Sequence, residues 1–553
     1  MDRKIKRMLI MALSAGMLTL IPTSDNLAMA LSPNPQIPEA SIKVQSDQIG
    51  VYNLIFDKSL GKEYSMNCNG QAVEYVAYEN IVYVSKPKSI EYQSMNIYIP
   101  KDYLNGVKIN GYTAKTAPIF LPNGVGGYMP GQALTPVEND RMTGGVNAVL
   151  YALSKGYVVA CPAIRGRTTT TDNTYIGKAP ALIVDYKAAV RYLRFNRDNL
   201  PAGDVEKIIS NGTSAGGALS ALLGVTGNAK EYLPYLNEIG AANERDDIFA
   251  SSDYCPITNL DHADMAYEWI FNGVKEYYQG KQMMPPQMPQ QLNDELNKMP
   301  KMPKMPKIGS KVKNRPNNAP MEATKASAMT TKEITVSNIL KSEFPQYVNS
   351  LNLHDKNGKL LNLDDEGNGT FKEYIKSKYI ESAQSALNDG VDLSDVNWVT
   401  VRNGKVTDVD LEKYAVAVTR LKAAPAFDKL DLSSGENDEF ATADNTPQHF
   451  TQTSKTHEIK EGTIADAEII KLLNPMNFIG GNVNTASHFR IRHGAKDRDT
   501  SLAIPAILAL KLENSGVNVD FFSPWDRGHA GDYDLEELFS WTDKICKAKL
   551  HDK

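Results

Sequence analysis

The chain has 553 residues, 42% of them hydrophobic and 23% charged, which is the composition of a globular protein with a large core rather than of a disordered or fibrous one. Its 60 basic and 65 acidic residues leave a net charge of −5, so no basic surplus points to nucleic acid or to an anionic membrane surface. Four cysteines (Cys68, Cys161, Cys255 and Cys546) are too few for a disulfide scaffold and have no metal-ligand spacing; Cys161 and Cys255 end apolar runs and read as buried free thiols.

In chain order, residues 1–30 read as a signal peptide. Arg3, Lys4, Lys6 and Arg7 form a basic start, Met8 to Ile21 is apolar, and Ala28-Met29-Ala30 offers a small-x-small cleavage site. That apolar run is short for a membrane span, which needs about 20 residues. The expectation is an exported, extracellular protein with no stable membrane insertion after cleavage.

Residues 31–255 and 466–553 read as two parts of one α/β core. Val51 to Cys68, Ala72 to Lys86 and Ile90 to Pro100 alternate with a period of two and predict an antiparallel entry to a sheet. Ala117 to Leu121 is a buried strand opening into Pro122-Asn123-Gly124-Val125-Gly126-Gly127. Helix (146–153), strand (157–161), helix (179–195), strand (207–210) and strand (249–255) follow, an alternation that predicts a mostly parallel sheet flanked by helices. The alternation stops over 256–465, read as an inserted lid domain with helical patterns such as Leu411 to Lys422. Its Met-Pro-Lys repeat near 281–330 cannot fill a core and reads as a disordered loop. Strand (488–493), helix (502–514), strand (517–522) and helix (535–548) close the core.

Gly212-Thr213-Ser214-Ala215-Gly216 is G-x-S-x-G between a strand and the helical run Ala218 to Leu223, the setting of a nucleophile elbow. A serine hydroxyl needs a base, and in this fold the chain order is Ser, acid, His. His529, in a loop after the last strand, is the base. Asp497, in the loop after the preceding strand, is the first choice of acid; Asp499 is second, and Asp261 and Asp264 are distant alternatives. The N–H of Ala215 supplies one oxyanion donor, and Gly126-Gly127 the other, with Gly127 favoured.

These residues and others resemble the bacterial tannases (tannin acylhydrolases). The markers are Leu121 through Tyr128, Ile164-Arg165-Gly166-Arg167-Thr168-Thr169, Asn211 through Gly217, His262 through Trp269, Lys422 through Asp428, Arg492-His493-Gly494 with Arg498-Asp499-Thr500, and Gly531-Asp532-Tyr533-Asp534. The resemblance implies a triad of Ser214, Asp497 and His529, an oxyanion hole of Gly127 and Ala215, and contacts from Lys422, Glu436 and Asp499 to the three hydroxyls of a galloyl ring. It implies an α/β-hydrolase fold, galloyl esters and gallotannins as substrates, and neither metal nor organic cofactor. Fungal tannases pair cysteines beside the nucleophile and the histidine; Thr213, Ala215, Gly528 and Ala530 stand there, so the bacterial branch is the match. Two rival readings are a feruloyl-type esterase on the same machinery and a surface-binding protein with a relic hydrolase fold.

Overall fold

Nine strands form one sheet at the centre of the computed structural model, which describes residues 51–140, 143–278 and 326–548. They are β1 (Lys62–Cys68), β2 (Gln71–Val82), β3 (Ser94–Pro100), β4 (Pro118–Pro122), β5 (Val158–Pro162), β6 (Asp204–Thr213), β7 (Ala250–Tyr254), β8 (His488–Arg492) and β9 (Asn518–Phe522). Their order across the sheet is β1-β2-β3-β5-β4-β6-β7-β8-β9. The first three strands and the β3–β5 junction are antiparallel; from β5 to β9 every pairing is parallel. The chain belongs to the α/β-hydrolase fold class.

The sequences explain this division. Every residue of Pro-Ile-Phe-Leu-Pro in β4 and Val-Val-Ala-Cys-Pro in β5 is buried, as a strand covered on both faces requires. On β1 most side chains are exposed, and the sheet starts only at Lys62, later than the alternation from Val51 suggests. Helices α1 (Ala148–Ser154), α2 (Ala181–Phe195), α3 (Ala215–Val225), α9 (Ala503–Asn514) and α10 (Leu535–Lys547) complete the covered core. Phe539 of α10 lies 5.1 Å from the rings of both Phe120 and Tyr157.

α2 carries four buried charges, and each has a partner. Asp185 takes the Arg165 guanidinium in two bonds of 2.7 and 2.8 Å, Lys187 and Arg191 share Asp246, and Arg194 meets Glu206. Unpaired, any of them would cost several kcal/mol in such a site.

Between β7 and β8 the described residues add no strand to the large sheet. α4 (Leu260–Phe271) leads into α5 (Thr331–Ser350), α6 (Thr370–Asn388), a hairpin (Val399–Arg402 with Lys405–Val409), α7 (Leu411–Val418) and the short α8 (Gly435–Glu439). Trp269 of α4 anchors this region, 5.2 Å from Phe344 on α5 and 5.7 Å from Phe371 on α6. The helical pattern expected to run to Lys422 ends at Val418, because Thr419 turns left-handed (φ +66°) and Arg420 is drawn into a buried ion pair with Glu268. The signal segment and nearly all of the Met-Pro-Lys segment lie outside the described residues.

Candidate active site

Ser214 sits between β6 and α3 at φ +61° and ψ −123°, a conformation that a side-chain-bearing residue holds only when its surroundings enforce it. Its N–H donates to the Tyr254 carbonyl at 2.9 Å, tying the turn to β7. Gly212 and Gly216 must lack side chains: a Cβ on Gly212 would strike the Gly216 carbonyl, and one on Gly216 the Val125 carbonyl. The Asn123 amide bridges the Asn211 and Gly216 carbonyls at 3.1 and 3.0 Å, locking the elbow to the loop after β4.

His529 follows β9, and its Nδ1 lies 2.8 Å from Asp497 Oδ2 in the loop after β8. Asp497 is 1% exposed, and its Oδ1 accepts the N–H groups of Asp499 and Thr500 at 2.9 and 3.2 Å. Burial works to raise this carboxyl, but His529, His493 and the backbone donors hold it well below the usual carboxylate range. Burial likewise opposes charge on His529, yet Asp497, Cys255 and Asp499 together hold its pKa well above the ordinary histidine value. His529 Nε2 has no hydrogen-bond partner among the described residues, so Ser214 and His529 are not bonded to each other here. The two loops nevertheless abut: a Cβ on Gly531 would strike the Thr213 side chain next to Ser214. Trp525, four residues before His529, stacks at 5.1 Å on Trp398 from the inserted region.

The alternative acids are engaged elsewhere. Asp261 accepts from Asn474, and buried Asp264 accepts the N–H groups of Phe427 and Asp428 at 2.8 and 3.0 Å.

Ala215 is the first residue of α3, so its N–H belongs to the unpaired first turn of a helix. Gly127 is left-handed (φ +53°), and its carbonyl accepts from Arg167 Nε at 2.9 Å. The Arg167 guanidinium also meets Asp438 of α8 at 2.6 Å, while Lys178 takes the other Asp438 oxygen at 2.6 Å. A relay therefore runs from Gly127 through Arg167 to the helix that carries Glu436. Neither Arg167 nor Asp438 was singled out for this role from the sequence; the Ile164 to Thr169 motif was the signal.

Lys422 and Glu436, each 4% exposed, are far from the solvated charges that their sequence settings suggest. Lys422 Nζ lies 3.1 Å from Asp499 Oδ1 and 4.3 Å from the centre of the Phe427 ring. Asp499 Oδ1 is in turn 3.8 Å from His529 Nε2, which brings this acid and the lysine to the base. Glu436 lies in α8 rather than in a simple turn, because Ser434 Oγ caps that helix by accepting from Asn437 N at 2.9 Å. Its charge raises the phenol of buried Tyr128, the neighbour of Gly127, in addition to the effect of burial. Asp428 holds the segment together: it accepts from Asn437 Nδ2, Thr451 Oγ1 and the N–H groups of Phe450 and Thr451, and pairs with His449 Nδ1.

A tannase from Fusobacterium nucleatum is 49% identical, with 90% of this chain and 100% of that one covered at a TM-score of 0.80. The chain belongs to the tannase family. A tannase from Lactobacillus plantarum is 42% identical over 90% of this chain and 100% of its own, with a TM-score of 0.78. A related tannin acyl hydrolase structure at 42% identity, covering 89% of this chain and 99% of that one with a TM-score of 0.78, contains ethyl gallate. The family model described as BD-FAE matches residues 128–295. No match is found among curated proteins. As a tannase, the protein is a carboxylic ester hydrolase. No helix among the described residues is long and apolar enough to cross a membrane.

Proposed function

We propose that this tannase is exported and hydrolyses galloyl esters through Ser214, Asp497 and His529 by way of a galloyl acyl-enzyme. The observation that carries the reading is the 2.8 Å His529–Asp497 pair in a loop that abuts the elbow, with the Lys422–Asp499 pair beside the same imidazole.

In this reading neutral His529 takes the Ser214 proton as the hydroxyl attacks the ester carbon. Asp497 holds the ring through Nδ1 and stabilises the imidazolium that forms. The N–H groups of Ala215 and Gly127 receive the charge that develops on the carbonyl oxygen. His529 then protonates the departing alcohol, and a water activated by the same base releases gallate. The carboxylates of Asp499 and Glu436 accept phenolic protons, and the Lys422 ammonium donates to a phenolic oxygen. Ethyl gallate and 3,4-dihydroxybenzoate, bound by related tannin acyl hydrolases, are ligands of the size and chemistry this site would take. An ester without ring hydroxyls would leave buried charges unmatched, a mismatch worth about 10⁴–10⁵ in comparable pockets.

The test compares methyl gallate, methyl ferulate and methyl benzoate on the mature chain and its Ser214→Ala variant. Gallate preference that disappears in the variant is expected; equal rates on all three esters would sink the pocket assignment. Export is tested by N-terminal sequencing of protein from the culture medium, where a start after Ala30 is expected.

A further inference from the structure

Two carboxylates further along the His529 loop tie it to the sheet. Asp534 accepts from the Tyr254 hydroxyl on β7 and pairs with the Arg490 guanidinium on β8. Asp532, three residues after His529, reaches β6 instead: its Oδ1 accepts from Asn211 Nδ2 at 3.0 Å. Asn211 is buried and stands three residues before Ser214. Its main-chain carbonyl is already held by Asn123, which donates its N–H at 3.0 Å and its side-chain amide at 3.1 Å. One strand residue therefore meets the proposed oxyanion loop through its carbonyl and the histidine loop through its side chain. Asp532 has a left-handed backbone (φ +53°), and Gly531 before it packs against Thr213 too closely for a Cβ.

We propose that Asn211 and Asp532 are a pair of positioning residues whose hydrogen bond sets the approach of His529 to Ser214. The inference rests on the reading of those two residues as base and nucleophile. Proton transfer needs the base within about 2.6–3.2 Å of the hydroxyl it deprotonates. Asp497 cannot set that distance alone, because it holds the ring through Nδ1 from the loop after β8 and has no part in the elbow. The Asn211–Asp532 bond joins the strand that ends in the nucleophile directly to the loop that presents the base. Burial pushes the Asp532 carboxyl up to about 6 while the Asn211 amide draws it down, so the acid is ionised above that pH. A charged acceptor makes the stronger bond, which suits a tie that must hold two loops in register. A misplacement of about 1 Å between reacting groups can cost on the order of 10²-fold in rate.

The experiment measures steady-state hydrolysis of methyl gallate by the full mature enzyme and four variants, well below the Tm recorded for each. Asn211→Ala removes the donor and should lower kcat at least about tenfold. KM should change little, because Lys422, Glu436 and Asp499 are untouched. Asp532→Gly removes the acceptor yet accepts the left-handed backbone without strain, and should lose kcat to the same extent. The double variant should be no slower than either single one, since both remove the same bond. Asp532→Asn keeps an acceptor oxygen and a residue suited to that backbone, and should recover most of the lost rate. Wild-type kcat in Asp532→Gly would overturn the proposal, by showing that Asp532 serves only its turn. Losses that multiply in the double variant, or that fall on KM alone, would overturn it as well. A failure of the underlying reading looks different: hydrolysis would then survive Ser214→Ala or His529→Ala.

Discussion

The Tyr267 hydroxyl donates to the main-chain carbonyl of Arg498 at 2.8 Å. The same oxygen accepts the Leu421 N–H at 3.2 Å. One phenol on α4 thereby fixes the residue between Asp497 and Asp499 and the residue before Lys422. Tyr267 is fully buried, so Tyr267→Phe leaves the Leu421 N–H without its acceptor in a dry site. Such a loss costs about 1–3 kcal/mol of stability. Hydrolysis of methyl gallate should fall by roughly tenfold through a higher KM, because about 1.4 kcal/mol of misplacement is a factor of ten. An unactivated benzoate ester, which makes no use of Lys422, should be hydrolysed almost as before. A variant that lost both activities equally would show that Tyr267 supports the fold without arranging the pocket.

The electrostatics of His529 set the acid side of the pH profile. Burial disfavours its charge, but Asp497, Cys255 and Asp499 outweigh burial and hold its pKa well above 6.5. Only the neutral ring can accept the Ser214 proton, so kcat/KM should rise with pH on a limb whose midpoint lies above 6.5. Asp499→Asn removes one of the stabilising charges and should move that midpoint down, whatever it does to the plateau. A midpoint at or below 6.5 in the wild type would contradict the placement of the two carboxylates around this ring.

His493 makes the opposite contribution. It is fully buried, neither ring nitrogen has a hydrogen-bond partner among the described residues, and burial pushes its pKa down to about 4 despite Asp497 at 3.7 Å. The unfolded chain binds this proton near pH 6.5 and the folded chain only near pH 4, so between those values the unfolded state holds more protons. Stability is retained above pH 6.5 and falls as the pH drops towards 4, by about 3 kcal/mol from this group. Thermal melts of His493→Asn against wild type should show a shallower acid loss in the variant. Parallel curves would mean that His493 does not titrate differently on folding.

The centre of the sheet was legible because β4 and β5 are short apolar runs, and its parallel part because helical periods separate most of its strands. The elbow was legible because glycine can be read directly as a requirement for close backbone approach, here Gly212 against Gly216. Residues that act through a second residue were not legible. Arg167 touches the Gly127 carbonyl 40 positions away and Asp438 across 271, and no local pattern carries such a separation. Lys422 and Glu436 came from family resemblance alone, since their burial depends on how residues 419–440 fold back on Asp264 and Asp428. Cys255 was legible as buried, but its approach to His529 depends on the stagger of β7 against the β9 loop.

The Arg167 relay yields a prediction that separates binding from chemistry. Its Nε donates to the Gly127 carbonyl while its Nη1 pairs with Asp438, so one planar group fixes both the proposed oxyanion loop and the helix of Glu436. Lysine keeps the charge but cannot make both contacts in that fixed geometry. In Arg167→Lys the ammonium should retain Asp438, the stronger, charged partner, and release the Gly127 carbonyl. The Gly127–Tyr128 peptide then loses its anchor, and with it the backbone of Gly127 loses a constraint on where its own N–H points. A misaimed donor at a developing oxyanion costs up to about 10²–10³ in kcat, and partial loss of aim should cost roughly tenfold or more. KM for methyl gallate should change little, because Lys422 and Asp499 remain in place. Steady-state kinetics on methyl gallate and on methyl ferulate should show the same fractional fall in kcat, since the oxyanion is common to both esters. A fall confined to gallate would assign Arg167 to the galloyl pocket through α8, with Gly127 positioned by the rest of its loop.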